Sequence, residues 1–195
     1  MTETIRDFAI QMHGGQMYGD KPYVTHLDQV WDVLQSYGYT DPSYERAAYV
    51  HDILEDCLLI DVETTGHPPT DITESVLLKA VGGDHRILMA ARFCKDEPGH
   101  NRKARKTATY ARCHKDLELW EEHGGDPVGF PDPMVHIPLA VRVKVADRIA
   151  NIRNCISTDS LFFAMYSKER DTFRDALYVP MMCEPMWEEY DRLLP

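Results

Sequence analysis

The stretch YVHDILEDC, residues 49–57, places one histidine and three acidic residues inside an apolar pattern with helical spacing. Helices on protein surfaces normally keep Asp and Glu on the side that faces water. Four polar residues of this stretch stand between aliphatic ones: His51, Asp52, Glu55 and Asp56. Because a buried carboxylate without a cationic partner is strongly destabilising, the stretch predicts a helix whose acids meet a metal ion or a basic group.

On a continuous helix, residues 51, 52, 55 and 56 lie within an arc of about 140°, so their side chains can face one cavity. His51 and Asp52 can then reach one metal ion, and Glu55 and Asp56 can contact a water molecule beside that ion. The alternative is a solvated helix edge, because acidic residues usually face water. A His-Asp pair alone also arises by chance, so this hypothesis needs support from other segments.

The segments before this stretch contain signals for helix starts. GDKPYV, residues 19–24, is typical of a loop. Thr25 is then predicted to be an N-cap, with Asp28 completing a capping box, which puts His26 in the first turn of that helix. The Asp-Pro pair at 41–42 predicts the start of the helix that runs through the opening stretch.

The chain after residue 57 also has mainly helical periodicity. The predicted helices cover residues 71–81, 85–94, 160–177 and 184–194, and a further one carries the basic residues near 102–112. A surface excursion rich in Pro and Gly is predicted at about 116–138. The 195 residues are therefore predicted to form one all-α domain, residues 1–195, with this excursion inserted.

The stretch LAVRVKVADRIANIRN, residues 139–154, allows two interpretations. Its first half alternates like a strand, whereas its second half keeps the helical period. Pro138 and the lack of a partner strand favour one buried helix. That helix presents Asp147 and Asn151 on one face. Asp147 alone would more often pair with an arginine, and Arg148 is adjacent.

Three separated segments thus offer two imidazoles and two carboxylates, from His26, His51, Asp52 and Asp147. This donor set suits Mn²⁺, Fe²⁺ or another borderline divalent ion such as Zn²⁺ or Co²⁺. A histidine at the start of a helix, such as His26, is by itself more often a surface residue.

The charge pattern indicates the kind of ligand. The net charge is −11, which argues against a general nucleic-acid binder. Residues 98–115 nevertheless hold six Lys or Arg and no Asp or Glu. A small basic strip on an acidic protein suits a small phosphorylated ligand better than a polymer. The oligomeric state stays open, and a homo-oligomer is possible.

Several basic and aromatic residues are candidates for substrate contacts. Arg102, Lys103, Arg105 and Lys106 can supply cations to phosphate groups, with Lys103 and Lys106 as first choices. Tyr23 and Tyr166 can stack on or bond to a nucleotide, although each equally fits core packing. The alternative for the basic strip is a solvated helix face.

Cysteine usage and hydropathy indicate the compartment. Five cysteines at scattered spacings predict reduced thiols rather than disulfides or a zinc site. The N-terminal residues resemble neither a signal peptide nor an anchor, and no apolar run approaches the ~18 residues that cross a bilayer. We therefore expect a cytoplasmic protein with no membrane partner.

The order of these motifs resembles the HD-domain phosphohydrolases. More narrowly, it is similar to the hydrolase domain of the RelA/SpoT proteins and to short alarmone hydrolases of the metazoan SpoT homologue type. The resembling stretches are HGGQMYGDKPYVTH (13–26), AAYVHDILEDC (47–57), DEPGHNRKARKTATY (96–110), VKVADRIANIRN (143–154) and MYSKERDTFRDAL (165–177). Together they cover most of the chain outside residues 116–138, and HDxxED followed by KxADRxxN is the most specific pair.

The resemblance implies an all-helical HD-domain bundle and a Mn²⁺ ion bound by His26, His51, Asp52 and Asp147. It implies that Glu55 and Asp56 orient and deprotonate the attacking water, and that Asn151 lies against the ribose or a phosphate of the substrate. The implied reaction removes the 3′-diphosphate from the alarmone (p)ppGpp. Animal members of the family are also associated with removing the 2′-phosphate of NADPH.

The chain departs from the family pattern in two places. Longer alarmone hydrolases have an Arg-Lys-rich stretch where this chain has QMYGDKPY, in which Tyr18 and Lys21 are the only plausible replacements. A dNTP, a nucleoside monophosphate or NADPH therefore stays an alternative substrate, and a non-catalytic nucleotide sensor is a third possibility. The predicted excursion is also longer, and the nearby His114, His123 and His136 are expected to be scattered surface residues.

Overall fold

The computed structural model describes residues 3–57, 69–123 and 136–194, and these are mostly helical. The elements follow one another as α1 (Ile5–His13), β1 (Met17–Tyr18), β2 (Lys21–Pro22), α2 (Val24–Ser36), α3 (Pro42–Val50), α4 (Ile53–Asp56), α5 (Pro69–Ala80), α6 (His85–Cys94), α7 (Arg102–Glu122), α8 (Ile137–Ser157), α9 (Phe163–Lys168), α10 (Arg170–Leu177) and α11 (Glu184–Leu193). The coarse prediction of a helical fold is confirmed. No helix among the described residues combines the length and the apolarity that crossing a membrane requires.

Helix α8 lies at the centre of the fold and contacts α2, α3, α6 and α11. Apolar side chains such as Val141, Val143, Val145 and Ile149 are fully buried on different sides of it. This all-round burial explains why its sequence is not amphipathic and why its first half resembles a strand. The prediction of one buried helix over residues 139–153 is confirmed, and the helix extends beyond both predicted ends.

The start of α2 differs from the prediction. The helix begins at Val24, and no side chain caps it, so the predicted Thr25 cap and its capping box are wrong. Asp28 instead accepts two hydrogen bonds from the Arg6 guanidinium, both 2.8 Å long, and one from the Tyr49 hydroxyl, also 2.8 Å. A charged partner outcompetes a cap because hydrogen bonds between ionised groups are stronger.

Part of the loop predicted at 19–24 is a strand. This strand, β2, pairs with β1 to form a small antiparallel hairpin. Strands β1 and β2 pair Met17 with Pro22 and Tyr18 with Lys21. Gly19 has a positive φ of 65°, a conformation that glycine adopts without a steric penalty. Tyr18 of β1 and Tyr23, which directly follows β2, both contact the His26 ring in the first turn of α2.

The opening stretch is not one continuous helix, which corrects the prediction. Helix α3 begins at Asp41-Pro42 as predicted but ends at Val50, and α4 starts at Ile53. Residues 51 and 52 form the turn between them. The His51 ring donates from Nδ1 to the Ala48 carbonyl at 2.8 Å, so a side chain takes one of the last carbonyl groups of α3.

The predicted excursion at 116–138 has wrong boundaries. Helix α7 continues to Glu122, and α8 begins at Ile137, so both ends of the predicted range are helical. Leu117 is buried, and Asp116 pairs with Arg112 one turn earlier, which supports the extra helical turns. Residues 124–135 lie outside the described part of the chain.

Two smaller expectations also change. The single helix predicted over 160–177 is divided into α9 and α10, which meet at Glu169. His114 and His123 are exposed, as predicted for surface histidines, but His136 is buried at the start of α8. Most buried apolar residues nevertheless belong to one contiguous core that includes side chains from α2, α3, α6, α8 and α11.

Candidate metal centre

Three side chains from distant parts of the chain converge beside α8. They are His26 from the first turn of α2, His51 from the turn after α3, and Asp147 from α8, and their ligand atoms all lie within 4.8 Å of one another. His26 Nε2 is 3.2 Å from Asp147 Oδ1, and His51 Nε2 is 3.9 Å from the same oxygen. Both imidazoles are buried. The site therefore presents two nitrogen donors and one oxygen donor to a common point.

Asp52 adds a second carboxylate beside this group. Its Oδ2 atom is 3.0 Å from His51 Nε2 and 3.7 Å from His26 Nε2. The Tyr23 hydroxyl donates a 2.6 Å hydrogen bond to that oxygen. The structure thus brings together all four residues that were predicted as metal ligands, and Tyr23 orients one of them.

The orientation of His51 fits a metal ligand. Its Nδ1 must carry a proton, because the Ala48 carbonyl that it contacts can only accept. Its Nε2 therefore faces the carboxylates, 3.0 Å from Asp52 Oδ2, but no contact of this buried atom among the described residues has hydrogen-bond geometry. Fixing one ring nitrogen on a carbonyl and leaving the other free is the usual way in which proteins orient a metal-binding histidine. The donor set and this orphaned nitrogen together fit a divalent cation.

The electrostatics of the cluster also favour a cation. Burial lowers the pKa of His51, but the charges of Asp52 and Asp147 outweigh it and raise that pKa to about 9. Burial raises the pKa of Asp52, and the two histidines lower it well below its usual range. A proton on the His51 imidazole thus balances the negative charge of Asp52 and Asp147 when no cation is bound. A divalent ion would displace such a proton, as ligand deprotonation requires.

The two predicted catalytic acids have different surroundings. Glu55 is half-buried, and its Oε2 accepts a 3.0 Å hydrogen bond from the Asp96 backbone N–H. Burial raises the pKa of Glu55 above its ordinary value. Asp56 is exposed and accepts a 2.9 Å hydrogen bond from Gln16. Both line a cavity of about 210 Å³ that opens from the metal cluster.

Aromatic residues of the hairpin form one wall of this cavity. The Tyr18 ring lies 4.9 Å from the His26 ring, and its hydroxyl donates to Asn151 Oδ1 at 2.9 Å. Asn151 in turn donates from Nδ2 to Asp147 Oδ1 at 2.5 Å. Asn151 was predicted to contact the substrate, and in this structure it links the hairpin to the Asp147 carboxylate.

The predicted substrate-binding residues divide into two groups. Those that line the 210 Å³ cavity are Tyr23, Arg102, Lys106, Asn151 and Tyr166. Lys21, Lys103 and Arg105 do not line it, so the structure does not bring these three side chains to the candidate metal centre. Lys21 is exposed on β2, and Lys103 is exposed on the outer side of α7. Helical geometry explains the split, because Arg102 and Lys106 are one turn apart and Lys103 is rotated away from them.

The cations of this cavity are engaged with acids. Lys106 Nζ is 2.8 Å from Asp96 Oδ1. Arg102 donates two hydrogen bonds, of 2.8 and 3.0 Å, to the Glu169 carboxylate. These contacts position both cations at the cavity wall, where a phosphate group can reach them.

Sequence reasoning missed two buried cations of α8. Lys144 lines the cavity and donates to the Cys94 carbonyl at 2.5 Å. Arg148 also lines it, and it donates to Glu169 at 2.9 Å and to the Tyr110 hydroxyl at 2.8 Å. The signal was present, because a lysine and an arginine inside an otherwise apolar helix must find polar partners or a ligand.

Comparison with known proteins yields no relative of this chain. Neither a protein-family model nor a curated protein nor a solved structure matches it.

Proposed function

We propose that this chain is a metal-dependent phosphohydrolase with an HD-type helical fold. Its substrate is a small nucleotide, and 3′-pyrophosphohydrolysis of (p)ppGpp is the leading specific case. The observation that carries the proposal is the convergence of His26, His51 and Asp147, with Asp52 beside them, on one buried point. The resemblance of HDxxED and KxADRxxN to the alarmone hydrolases supports the same conclusion.

The proposed cofactor is Mn²⁺, with Fe²⁺, Zn²⁺ and Co²⁺ as alternatives. Two imidazole nitrogens and two carboxylates suit all of these borderline ions. A divalent cation bound by these residues would supply a Lewis acid that polarises a phosphoryl oxygen and lowers the pKa of a water molecule. In this arrangement His51 is oriented by the Ala48 carbonyl, and Asp52 by the Tyr23 hydroxyl.

The side chains around the cluster can perform the remaining tasks of phosphoester hydrolysis. Glu55 is the proposed general base, since it faces the cavity and its pKa is raised by burial toward the working range of a base. Lys106, Lys144 and Arg148 line the same cavity and can neutralise the charge that develops on the phosphate. Asp56 is more exposed and is proposed to orient the attacking water rather than to deprotonate it.

A nucleotide panel tests this proposal. Purified protein would be incubated with Mn²⁺ and ppGpp, dNTPs, nucleoside monophosphates or NADPH, and the products would be identified as pyrophosphate, triphosphate or orthophosphate. We expect pyrophosphate from ppGpp with the wild-type chain and none with Asp52→Ala. The matched control is Asp171→Ala, because Asp171 is exposed on α10. A panel without any phosphate release would contradict the proposal.

One observation keeps a second substrate class open. The residues predicted to replace the Arg-Lys-rich stretch of the longer alarmone hydrolases were Tyr18 and Lys21, but Lys21 is exposed and does not line the cavity. Tyr18 is bonded to Asn151. A dNTP, a nucleoside monophosphate or NADPH is therefore the second candidate, and the product analysis distinguishes these cases.

A cytoplasmic location is part of the proposal. All five cysteines are free thiols, and all five are buried. Free thiols persist in a reducing compartment, whereas secreted proteins usually form disulfides. Nucleotide substrates are also intracellular metabolites, so the compartment and the proposed activity agree.

A further inference from the structure

Two cavities meet at the N-terminal half of α7. The first is the 210 Å³ cavity of the metal cluster, and the second, of about 1060 Å³, lies between α7 and the helices α9 and α10. Arg102 and Lys106, one helical turn apart, line both cavities. These two side chains therefore form a common border, and a single ligand can contact both sides of it.

The small cavity is too small for a complete nucleotide. Sites for small organic ligands usually have volumes of about 300–1000 Å³, and 210 Å³ must also accommodate a metal ion. On the hairpin side, Tyr18 and Tyr23 are fixed by hydrogen bonds to Asn151 and Asp52. The organic part of a substrate whose phosphate lies at the metal cluster must therefore extend past Arg102 and Lys106.

The large cavity has the chemistry that such an organic group needs. Tyr110, Leu161 and Met165 give it an apolar lining. Leu161 is 95% exposed, so this apolar side chain has almost no cover within the described structure. A flat, largely apolar ring can pack against these groups and gain the free energy of removing them from water.

The border of the large cavity is basic although the chain has a net charge of −11. Lys103 and Lys168 line it and are exposed. Of its two acids, Glu169 is already bonded to Arg102 and Arg148, and the exposed Asp175 leaves the four cations of the lining in excess. Charge complementarity therefore favours an anionic ligand over a neutral or cationic one.

We propose that the large cavity binds the nucleoside part of the substrate whose reacting phosphate lies at the metal cluster. Lys103 and Lys168 contact further anionic groups of the same ligand. Lys103, which does not line the 210 Å³ cavity, thereby has a role in the large one. This inference rests on the proposed phosphohydrolase function. It places the organic half of the substrate on α7, α9 and α10 rather than on the hairpin.

Fluorescence titration with mant-GDP in EDTA tests the nucleoside site without the metal. Ala164 lines the large cavity and is exposed, so Ala164→Trp places an indole in part of the cavity without disturbing the core. We expect the Kd of this variant to rise about tenfold, the equivalent of about 1.4 kcal/mol. The matched control Ala108→Trp is on an exposed part of α7 outside the cavity and should leave the Kd within about twofold.

A variant that removes a charge provides a second test, independent of Ala164→Trp. Lys168→Ala should raise the Kd about threefold to tenfold, because it removes a cation from the cavity border. Lys115→Ala, at an exposed position of α7 that does not line the cavity, should not change it. The inference is overturned if wild-type protein does not bind mant-GDP in EDTA, or if neither Ala164→Trp nor Lys168→Ala weakens binding.

The failure of this inference is distinguishable from failure of the proposed function. If the function is wrong, the wild-type chain releases no phosphate from any nucleotide, while mant-GDP binding still responds to Ala164→Trp. If only the inference is wrong, nucleotides are hydrolysed and Ala164→Trp alters neither KM nor the Kd of mant-GDP.

Discussion

Helices α7 and α8 are equally long, at 21 residues each, but they are built in opposite ways. Helix α8 has thirteen buried residues and is surrounded by other helices, whereas α7 has only four. Asp147 of the candidate metal centre is on α8, and the exposed cation Lys103 is on α7. The comparison teaches that the most constrained helix supplies one of the four proposed ligands, whereas the other three lie on α2 and in the turn after α3.

A consequence of this difference is that the two helices should respond differently to substitution. Changes on the cavity side of α8 should abolish the chemistry, because its side chains cannot rearrange in a close-packed core. Changes on α7 should alter substrate affinity and rate by smaller factors, since its cations lie at the edge of the cavities. The predictions below run from the largest expected effect to the smallest.

The largest effect is expected for Asp147→Ala on α8. This change removes the carboxylate that contacts both histidines, so both metal binding and phosphate polarisation should be lost. We expect kcat/KM for nucleotide hydrolysis to fall about 10⁴-fold or more, corresponding to several kcal/mol of lost transition-state stabilisation. Steady-state kinetics with Mn²⁺ measure kcat/KM. A decrease of less than tenfold would contradict the expected difference between α8 and α7.

The next effect is expected for Glu55→Gln on α4. The isosteric amide removes the base but keeps an acceptor for the Asp96 N–H, so kcat should fall about 10²- to 10⁴-fold with a nearly unchanged fold. Because the pKa of Glu55 is raised, wild-type activity should decline toward low pH at a higher pH than an ordinary glutamate would give. Glu55→Gln should lose this acidic limb, and a retained limb would assign the base to another group.

A smaller effect is expected for Lys106→Met on α7. Methionine keeps the apolar stem and removes the cation, so kcat/KM should fall about 10- to 100-fold through the loss of one charged phosphate contact. Lys115→Met on the exposed side of the same helix is the control. Stopped assays of both variants at equal metal occupancy measure the difference. Equal rates would show that the Lys106 charge does not contribute to hydrolysis.

Glu169→Gln should lower the stability of the protein by weakening the contact between α7 and α8. Glu169 accepts hydrogen bonds from Arg102 of α7 and Arg148 of α8, and we expect a loss of about 1–3 kcal/mol in the free energy of unfolding. Burial raises the pKa of Glu169, and the two arginines lower it below its ordinary value.

A lowered carboxylate pKa makes the free energy of unfolding depend on pH in a defined direction. Its stabilising effect is fully present above the unfolded pKa of about 4.3 and is lost as pH falls through the lower, folded pKa. Wild-type protein should therefore lose stability below about pH 4.3 more steeply than Glu169→Gln. Urea unfolding at several pH values measures both slopes, and parallel slopes would show that the ion pairs do not contribute.

Much of the fold follows from local sequence signals. Asp41-Pro42 predicts the start of α3, and the buried aliphatic residues around Asp147 predict α8. Both signals depend on neighbouring residues along the chain, so tertiary contacts do not override them. Three of the four proposed ligands, His51, Asp52 and Asp147, could be selected for a similar reason, because each is a polar residue among apolar neighbours. His26 was distinguished only by its place in the first turn of a helix after the GDKPYV loop.

The errors come from contacts between distant residues. Thr25 does not cap α2 because the carboxylate of Asp28 pairs with Arg6 and Tyr49, and no local pattern contains that pairing. The turn at His51 is an exception, because its ring bonds to the Ala48 carbonyl only three residues earlier. The proposed role of Lys103 likewise depends on a cavity formed with α9 and α10, which sequence spacing on α7 alone cannot reveal.

Isothermal titration of the metal-free protein with Mn²⁺ tests the central claim most directly, with elemental analysis of the purified chain to identify the metal. We predict one Mn²⁺ per chain, and an affinity at least about 100-fold weaker for His51→Ala and for Asp147→Ala, since each removes a direct ligand. His85→Ala, at an exposed position of α6, should bind like the wild type. Absence of binding by the wild-type chain, or an affinity that neither ligand variant changes, would contradict a metal centre at this cluster.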